Sequence, residues 1–75
     1  MRFFKGFLMK LSPQKVKIIT LMAKGYTDKE IAIKLKISIR TVQTHVSSII
    51  LALKARNRVN AVALYMVANP RWKIV

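Results

Sequence analysis

TDKEIAIKLKISIRTVQTHVS, from Thr27 to Ser47, contains two helix starts back to back. Thr27 is followed three residues later by Glu30, the spacing of a capping box. In that motif the threonine oxygen accepts from the N3 amide, and the glutamate reaches back to the N-cap amide. Ile31, Ala32 and Leu35 then recur at helical spacing. Only Lys36 and Ile37 separate this run from Ser38, a second N-cap, after which Val42, Val46, Ile49 and Leu53 form another apolar stripe. A short helix, a tight turn and a longer helix form the arrangement that carries a helix into the major groove of DNA.

Removing the apolar stripe from the longer helix leaves Arg40, Gln43, Thr44 and Ser47 on its outer side. Glutamine can pair bidentately with adenine, and threonine offers both a methyl and a hydroxyl, so these four are the candidate base-reading residues. Ile33 falls off the inward stripe of the shorter helix and is expected at the surface.

On the N-terminal side, Ser12-Pro13 opens an earlier helix, with serine as N-cap and proline at N1, where its missing N–H costs nothing. Val16, Ile19, Met22 and Ala23 share its inner face, widened by Ile18 and Leu21, and Gly25 supplies the stop. Leu11 with Val16, Tyr26 with Ile31 and Ile37 with Val42 have the spacing of hydrophobic staples. Three consecutive helix entries specified by both cap and staple are a consistent local code. Before them, residues 1–10 (MRFFKGFLMK) read as an arm whose aromatics pack on the domain, with a dimer contact or a membrane-touching segment as the alternatives.

On the C-terminal side, Lys54 to Arg58 is a basic connection, and Asn57 caps a fourth helix that ends at Asn69-Pro70. From Val59 to Ala68 this helix is apolar nearly all round, so it must be buried on more than one side. In a small domain the second cover is most simply a two-fold partner's copy of the same helix. Val59, Val62, Ala63, Met66 and Val67 are the candidate dimer interface. The tail, residues 70–75, either folds back with Trp72 over an edge or frays. The expected fold class is therefore all-α, with an arm (1–10), a four-helix domain (11–69) and a tail (70–75).

Composition narrows the chemistry. In 75 residues there are fifteen Lys and Arg against two acids, a net charge of +13. Such a surface calls for a polyanionic partner. Both acids, Asp28 and Glu30, fall in the first turn of one helix, where they complement the helix dipole. Thr27, Lys29, Lys34, Lys36, Lys54, Arg56 and Arg58 surround the helix-turn-helix as candidate contacts to the DNA backbone. There is no cysteine and one histidine, so neither a disulfide framework, a metal site nor a paired-carboxylate active site is expected. An enzyme is not expected, nor is any cofactor. No apolar run reaches the ~20 residues of a spanning helix. Lys5 and Lys10 interrupt the only signal-like stretch, so the expected location is cytoplasmic, in a bacterial or phage setting, on the nucleoid when bound.

Leu11-Ser12-Pro13, Gly25-Tyr26-Thr27, Lys29-Glu30-Ile31-Ala32, Leu35, Ile37-Ser38, Thr41-Val42, His45, Leu53 and Arg58 with Ala61-Val62 together resemble the LuxR-type helix-turn-helix domain of the LuxR, NarL, FixJ and GerE proteins. The resemblance runs from about Leu11 to Ala68. It implies a four-helix transcription regulator that dimerises through its fourth helix and reads the major groove with its third. By position it assigns base-facing places to Gln43, Thr44 and Ser47, and it sets Thr41 and His45 near the DNA backbone. The chain departs from the pattern in four places. Lys15 and Lys17 replace two usual glutamates, Gln43 a common lysine, Leu51 and Ala52 a late basic pair, and Lys54-Ala55 the usual Gly-Val. With no room for a receiver or an autoinducer-binding domain, a stand-alone domain of GerE-like size is expected, controlled by abundance, a partner or DNA context.

Three other readings compete with this one. A sigma-factor region-four-like module shares the EIA…TV pattern, but the Asn57 cap and the Arg58, Ala61, Val62 pattern favour the LuxR type. A protein-interaction decoy would heterodimerise with a longer LuxR-type regulator through helix four, and would copurify with it. A cationic membrane-active peptide would bind liposomes, but three capped helices speak against it. The expected partners are thus double-stranded DNA and a second copy of the chain. A LuxR-type protein or RNA polymerase is a further candidate, and no membrane partner is expected.

Overall fold

A computed structural model describes residues 11–72; the expectations for residues 1–10 and for the last three residues of the tail lie outside it. Among the described residues there are four helices and no strand: α1 (Pro13–Ala23), α2 (Asp28–Leu35), α3 (Ile39–Leu53) and α4 (Arg58–Ala68). Each begins at the side-chain cap that the sequence indicates. Ser12 Oγ accepts from the Lys15 amide at 3.3 Å, Ser38 Oγ from Thr41 at 3.0 Å and Asn57 Oδ1 from Asn60 at 2.8 Å. At α2 both halves of the capping box are made. Thr27 Oγ1 accepts from the Glu30 amide at 3.2 Å, and Glu30 Oε1 accepts from the Thr27 amide at 2.8 Å. Asn60 adds a reciprocal bond at α4, its Oδ1 accepting from the Arg56 amide at 2.9 Å.

The first three helices end alike. After α1, Gly25 takes φ +93°, and the Tyr26 and Gly25 amides donate to the Leu21 and Met22 carbonyls at 3.1 and 3.0 Å. These are the two bonds of a Schellman motif. The same pair closes α2 through Ile37 to Ala32 and Lys36 to Ile33, and closes α3 through Ala55 to Ile50 and Lys54 to Leu51. There, however, the left-handed residues are Lys36 (φ 58°) and Lys54 (φ 56°). The missing glycine after Leu53 does not change the turn; a lysine adopts the conformation that glycine would take without strain.

α3 is the hub, packed against each of the other three helices, while α1 also packs on α2 and α4. α2 and α4 are not packed on each other. The stripe of α3 is buried as its spacing indicates: Val42, Val46, Ile49 and Leu53 meet Ile18, Ile19 and Met22 of α1, Ile31 and Ala32 of α2, and Ala61 and Tyr65 of α4 in one core. Leu11, Tyr26 and Ile37, the outer members of the three staples, pack against it. Ile33 is at the surface, as expected.

Between the two expectations for the tail, Trp72 folds back. Its ring meets Tyr65 edge-on with centroids 4.7 Å apart, and its indole N–H donates to Thr20 Oγ1 at 3.0 Å. The Thr20 hydroxyl donates onward to the Val16 carbonyl at 2.7 Å, so Trp72 is tied to α1 through a satisfied polar relay. Burial raises the Tyr65 phenol above its ordinary pKa by penalising the charged form. Both Tyr65 and Trp72 thus belong to the inner side of α4 and leave its outer side uncovered.

Candidate nucleic-acid interface

α3 is fifteen residues long, about 22 Å at the usual helical rise. Its first nine residues, beyond the Ser38 cap, carry the four base-reading candidates. Arg40, Gln43, Thr44 and Ser47 are all exposed, opposite the buried stripe. Three of these four side chains are uncharged in a chain of +13, so the surface here is polar without being strongly basic. Thr41 and His45 are half-buried at the margins of this face. The Thr41 and Ser38 hydroxyl oxygens lie 2.8 Å apart, which orients the threonine within the cap.

Basic residues are exposed on α2, at its C-terminal end and after α3. Lys29, Lys34, Lys36, Lys54 and Arg56 are exposed, and so is Thr27, whose hydroxyl oxygen is engaged in the capping box. Lys34 Nζ sits 5.0 Å from the centre of the Tyr26 ring, a cation–π contact that restrains its ammonium beside α2. Arg58 forms an ion pair between helices. Its Nη2 donates to Asp28 Oδ1 at 2.7 Å, joining the first turns of α4 and α2 across thirty residues of sequence. The side chains of this pair are 39% and 24% exposed, and solvent screening holds such a pair to about 0–1 kcal/mol of stability.

The structure thus brings all the described base and backbone candidates onto the helix-turn-helix and its two flanks. The dimer candidates lie elsewhere, on the outer side of α4. Val59, Met66 and Val67 are 76%, 47% and 71% exposed, Ala63 is exposed, and Val62 is half-buried with its inner side on the core. No group of three or more His, Cys, Asp or Glu side chains that could hold a metal occurs among the described residues. No described helix is long and apolar enough to cross a membrane.

Sequence comparison gives this geometry a family. Residues 9–65 match GerE, described as bacterial regulatory proteins, luxR family. The chain belongs to the luxR family. The VraR response regulator proteins of Staphylococcus aureus, Staphylococcus epidermidis and Staphylococcus saprophyticus are each 44% identical to it over 52 residues. That alignment covers 69% of this chain and 25% of each relative, so the chain spans about a quarter of the length of these regulators. Its four helices are those of a LuxR-type helix-turn-helix domain, a DNA-binding regulator domain that is not typically catalytic.

Two long-range contacts escape a reading of the sequence. The Asp28–Arg58 pair is one: both residues stand out, Asp28 as a dipole-complementing acid and Arg58 as a backbone candidate, but nothing local links them. The available signal is scarcity, since an acid outside the capping box in so basic a chain has many cations to choose from. The Trp72–Thr20 bond is the other. A lone indole N–H needs an acceptor when it is covered, but the sequence offers many hydroxyls.

Proposed function

We propose that the chain is a sequence-specific transcription regulator that binds duplex DNA as a homodimer in a bacterial cytoplasm. α3 enters the major groove, where Gln43, Thr44, Ser47 and Arg40 read base edges. Thr27, Lys29, Lys34, Lys36, Thr41, His45, Lys54, Arg56 and Arg58 contact the sugar–phosphate backbone and set the register. The outer side of α4 pairs with its two-fold copy, presenting two α3 helices to half-sites about one helical turn apart, ~34 Å.

The observation that supports this reading best is the outer face of α3. It is exposed, polar and hydrogen-bonding, on a helix whose other side is locked into the core. Selection of bound duplexes from a random pool, together with the solution mass of the free chain and of its complex, tests the proposal. A two-fold symmetric consensus and a complex with two chains are expected. Recovery of no sequence preference at any salt concentration would sink sequence-specific reading.

A second reading has one observation in its favour. The outer face of α3 lacks the lysines usual in the family, while the outer face of α4 is strongly apolar. A chain of this kind could pair through α4 with a longer LuxR-type regulator and keep it from DNA. Copurification with such a regulator, joined to an absence of duplex binding by the chain itself, selects the decoy.

A further inference from the structure

We infer that Asp28 is a positioning residue for DNA binding: it holds the Arg58 guanidinium by one edge so that the remaining N–H donors take a backbone phosphate. The inference rests on the DNA binding proposed above and adds to it a residue that carries the wrong charge for the task.

Four observations lead to it. Asp28 and Arg58 lie on α2 and α4, which α1 and α3 hold together without the two packing on each other. The pair therefore links two helices that do not pack on each other. Only Nη2 meets the carboxylate, at 2.7 Å, and the guanidinium makes no other hydrogen bond with the described residues. An arginine has five N–H donors in a rigid planar fork, so one edge can be held by a carboxylate while another meets an anion. The side chain is also 39% exposed, so part of it reaches solvent.

The surroundings say which anion fits. Lys29 follows Asp28 directly, and Arg56 precedes Arg58 by two residues, both exposed. The other acid of the chain, Glu30, is turned back onto the Thr27 amide. Asp28 thus engages, among these cations, the one that bridges two helices. A free arginine explores many rotamers and must lose that freedom on binding, whereas one held by a carboxylate loses less. Orientation by Asp28 then outweighs the repulsion that its charge exerts on phosphate.

The effect has a sign that simple charge does not share. Asp28→Asn makes the chain more basic, so a purely electrostatic account has it bind DNA more tightly. Positioning has it bind less tightly. The test measures affinity of the full 75-residue chain for a mixed-sequence duplex long enough for two half-sites, by fluorescence anisotropy across a salt series. We expect Asp28→Asn to weaken binding several-fold and to lower the slope of log K against log salt by about 0.9 for each phosphate left without its cation. Asp28→Glu restores both, Arg58→Ala matches Asp28→Asn, and the double variant is no weaker than Arg58→Ala alone.

Should Asp28→Asn fail to fold, Arg58→Lys carries the test. It keeps the charge and can still meet Asp28, but lacks the fork that takes two anions at once, so several-fold weaker binding is expected. Equal or tighter binding by Asp28→Asn with an unchanged slope would overturn the inference and leave the proposed DNA binding standing. So would unchanged binding by Arg58→Lys. If the native chain binds no duplex at any salt, the DNA proposal fails first and takes this one with it.

Discussion

α3 and α4 each turn one side into the same core and leave the other uncovered, and the two uncovered sides have opposite chemistry. Over the first nine residues of α3 the outer side is Arg40, Gln43, Thr44 and Ser47, all able to hydrogen-bond; further along the same face Leu51, 77% exposed, is apolar. On α4 it is Val59, Ala63, Met66 and Val67, none of which can do so through its side chain. Burial alone would make both helices look alike. What an element meets outside the domain is written on the side that folding does not use. A polar side with little charge suits base edges, which present donors, acceptors and methyl groups. A contiguous apolar side suits another protein surface.

The largest perturbation removes the support common to both sides. Ile49 is fully buried in α3, the hub helix. Ile49→Ala should cost about 2–5 kcal/mol, through the apolar area no longer buried and the cavity left behind. In so small a domain that is a large share of total stability, so denaturant unfolding should show it collapse or shift to a much lower midpoint. A near-native midpoint would mean that α3 is not the element on which the rest is built.

A charge on the outer side of α4 should break one half of the comparison and leave the other intact. Met66→Lys or Val67→Glu should keep the monomer's circular dichroism while the solution mass falls to that of one chain. Affinity for a duplex with two half-sites should then drop at least about tenfold, because the second half-site is no longer engaged at high effective concentration. Binding to an isolated half-site should hardly change. If the mass stays that of a dimer, the interface lies elsewhere.

Gln43→Ala addresses the other half. It should lose about 1–3 kcal/mol of discrimination at one base pair, seen as a relaxed position in the selected sequence. Thermal stability and solution mass should stay as they are, since an exposed side chain without a structural partner contributes within about 0.5 kcal/mol. An unaltered preference at every position would move the reading face away from Gln43.

Most of the fold was legible because its signals are local. Ser12, Thr27, Ser38 and Asn57 each cap a helix with an oxygen three residues from its amide partner, and the stripe of α3 repeats within one helix. The outer face of α3 follows by subtraction. On α4 subtraction has less to work with, because residues 61–68 are an unbroken apolar run. That Ala61 and Tyr65 face the core and Val62 only half does so depends on where α1 and α3 sit. The same holds for Asp28 with Arg58 and for Trp72 with Thr20, separated by thirty and fifty-two residues. No periodicity connects such partners. Three-dimensional proximity chooses them from several chemically equivalent candidates.

The smallest predicted effect concerns the two lysines that bracket α3. Lys36 and Lys54 take φ near +57° at the ends of α2 and α3, where an L side chain crowds the following carbonyl. Glycine has no such cost, so Lys36→Gly and Lys54→Gly should each stabilise the domain by about 0.5–1 kcal/mol, less whatever the lysine side chain contributes. Every 1 kcal/mol should appear as a rise of roughly 4–8 °C in Tm for a domain of this size. Gly25→Ala runs the other way. A methyl there meets nothing within 4 Å, so its expected cost, about 1 kcal/mol, is backbone strain at φ +93° rather than a clash. Both lysines also stand among the proposed phosphate contacts. The glycine variants should therefore melt higher and bind duplex DNA less tightly, with a shallower salt dependence. A variant that gains stability and keeps its full affinity would show that the left-handed lysine serves neither the turn nor the DNA. A fall in Tm would mean instead that the side chain holds the turn more strongly than its backbone opposes it.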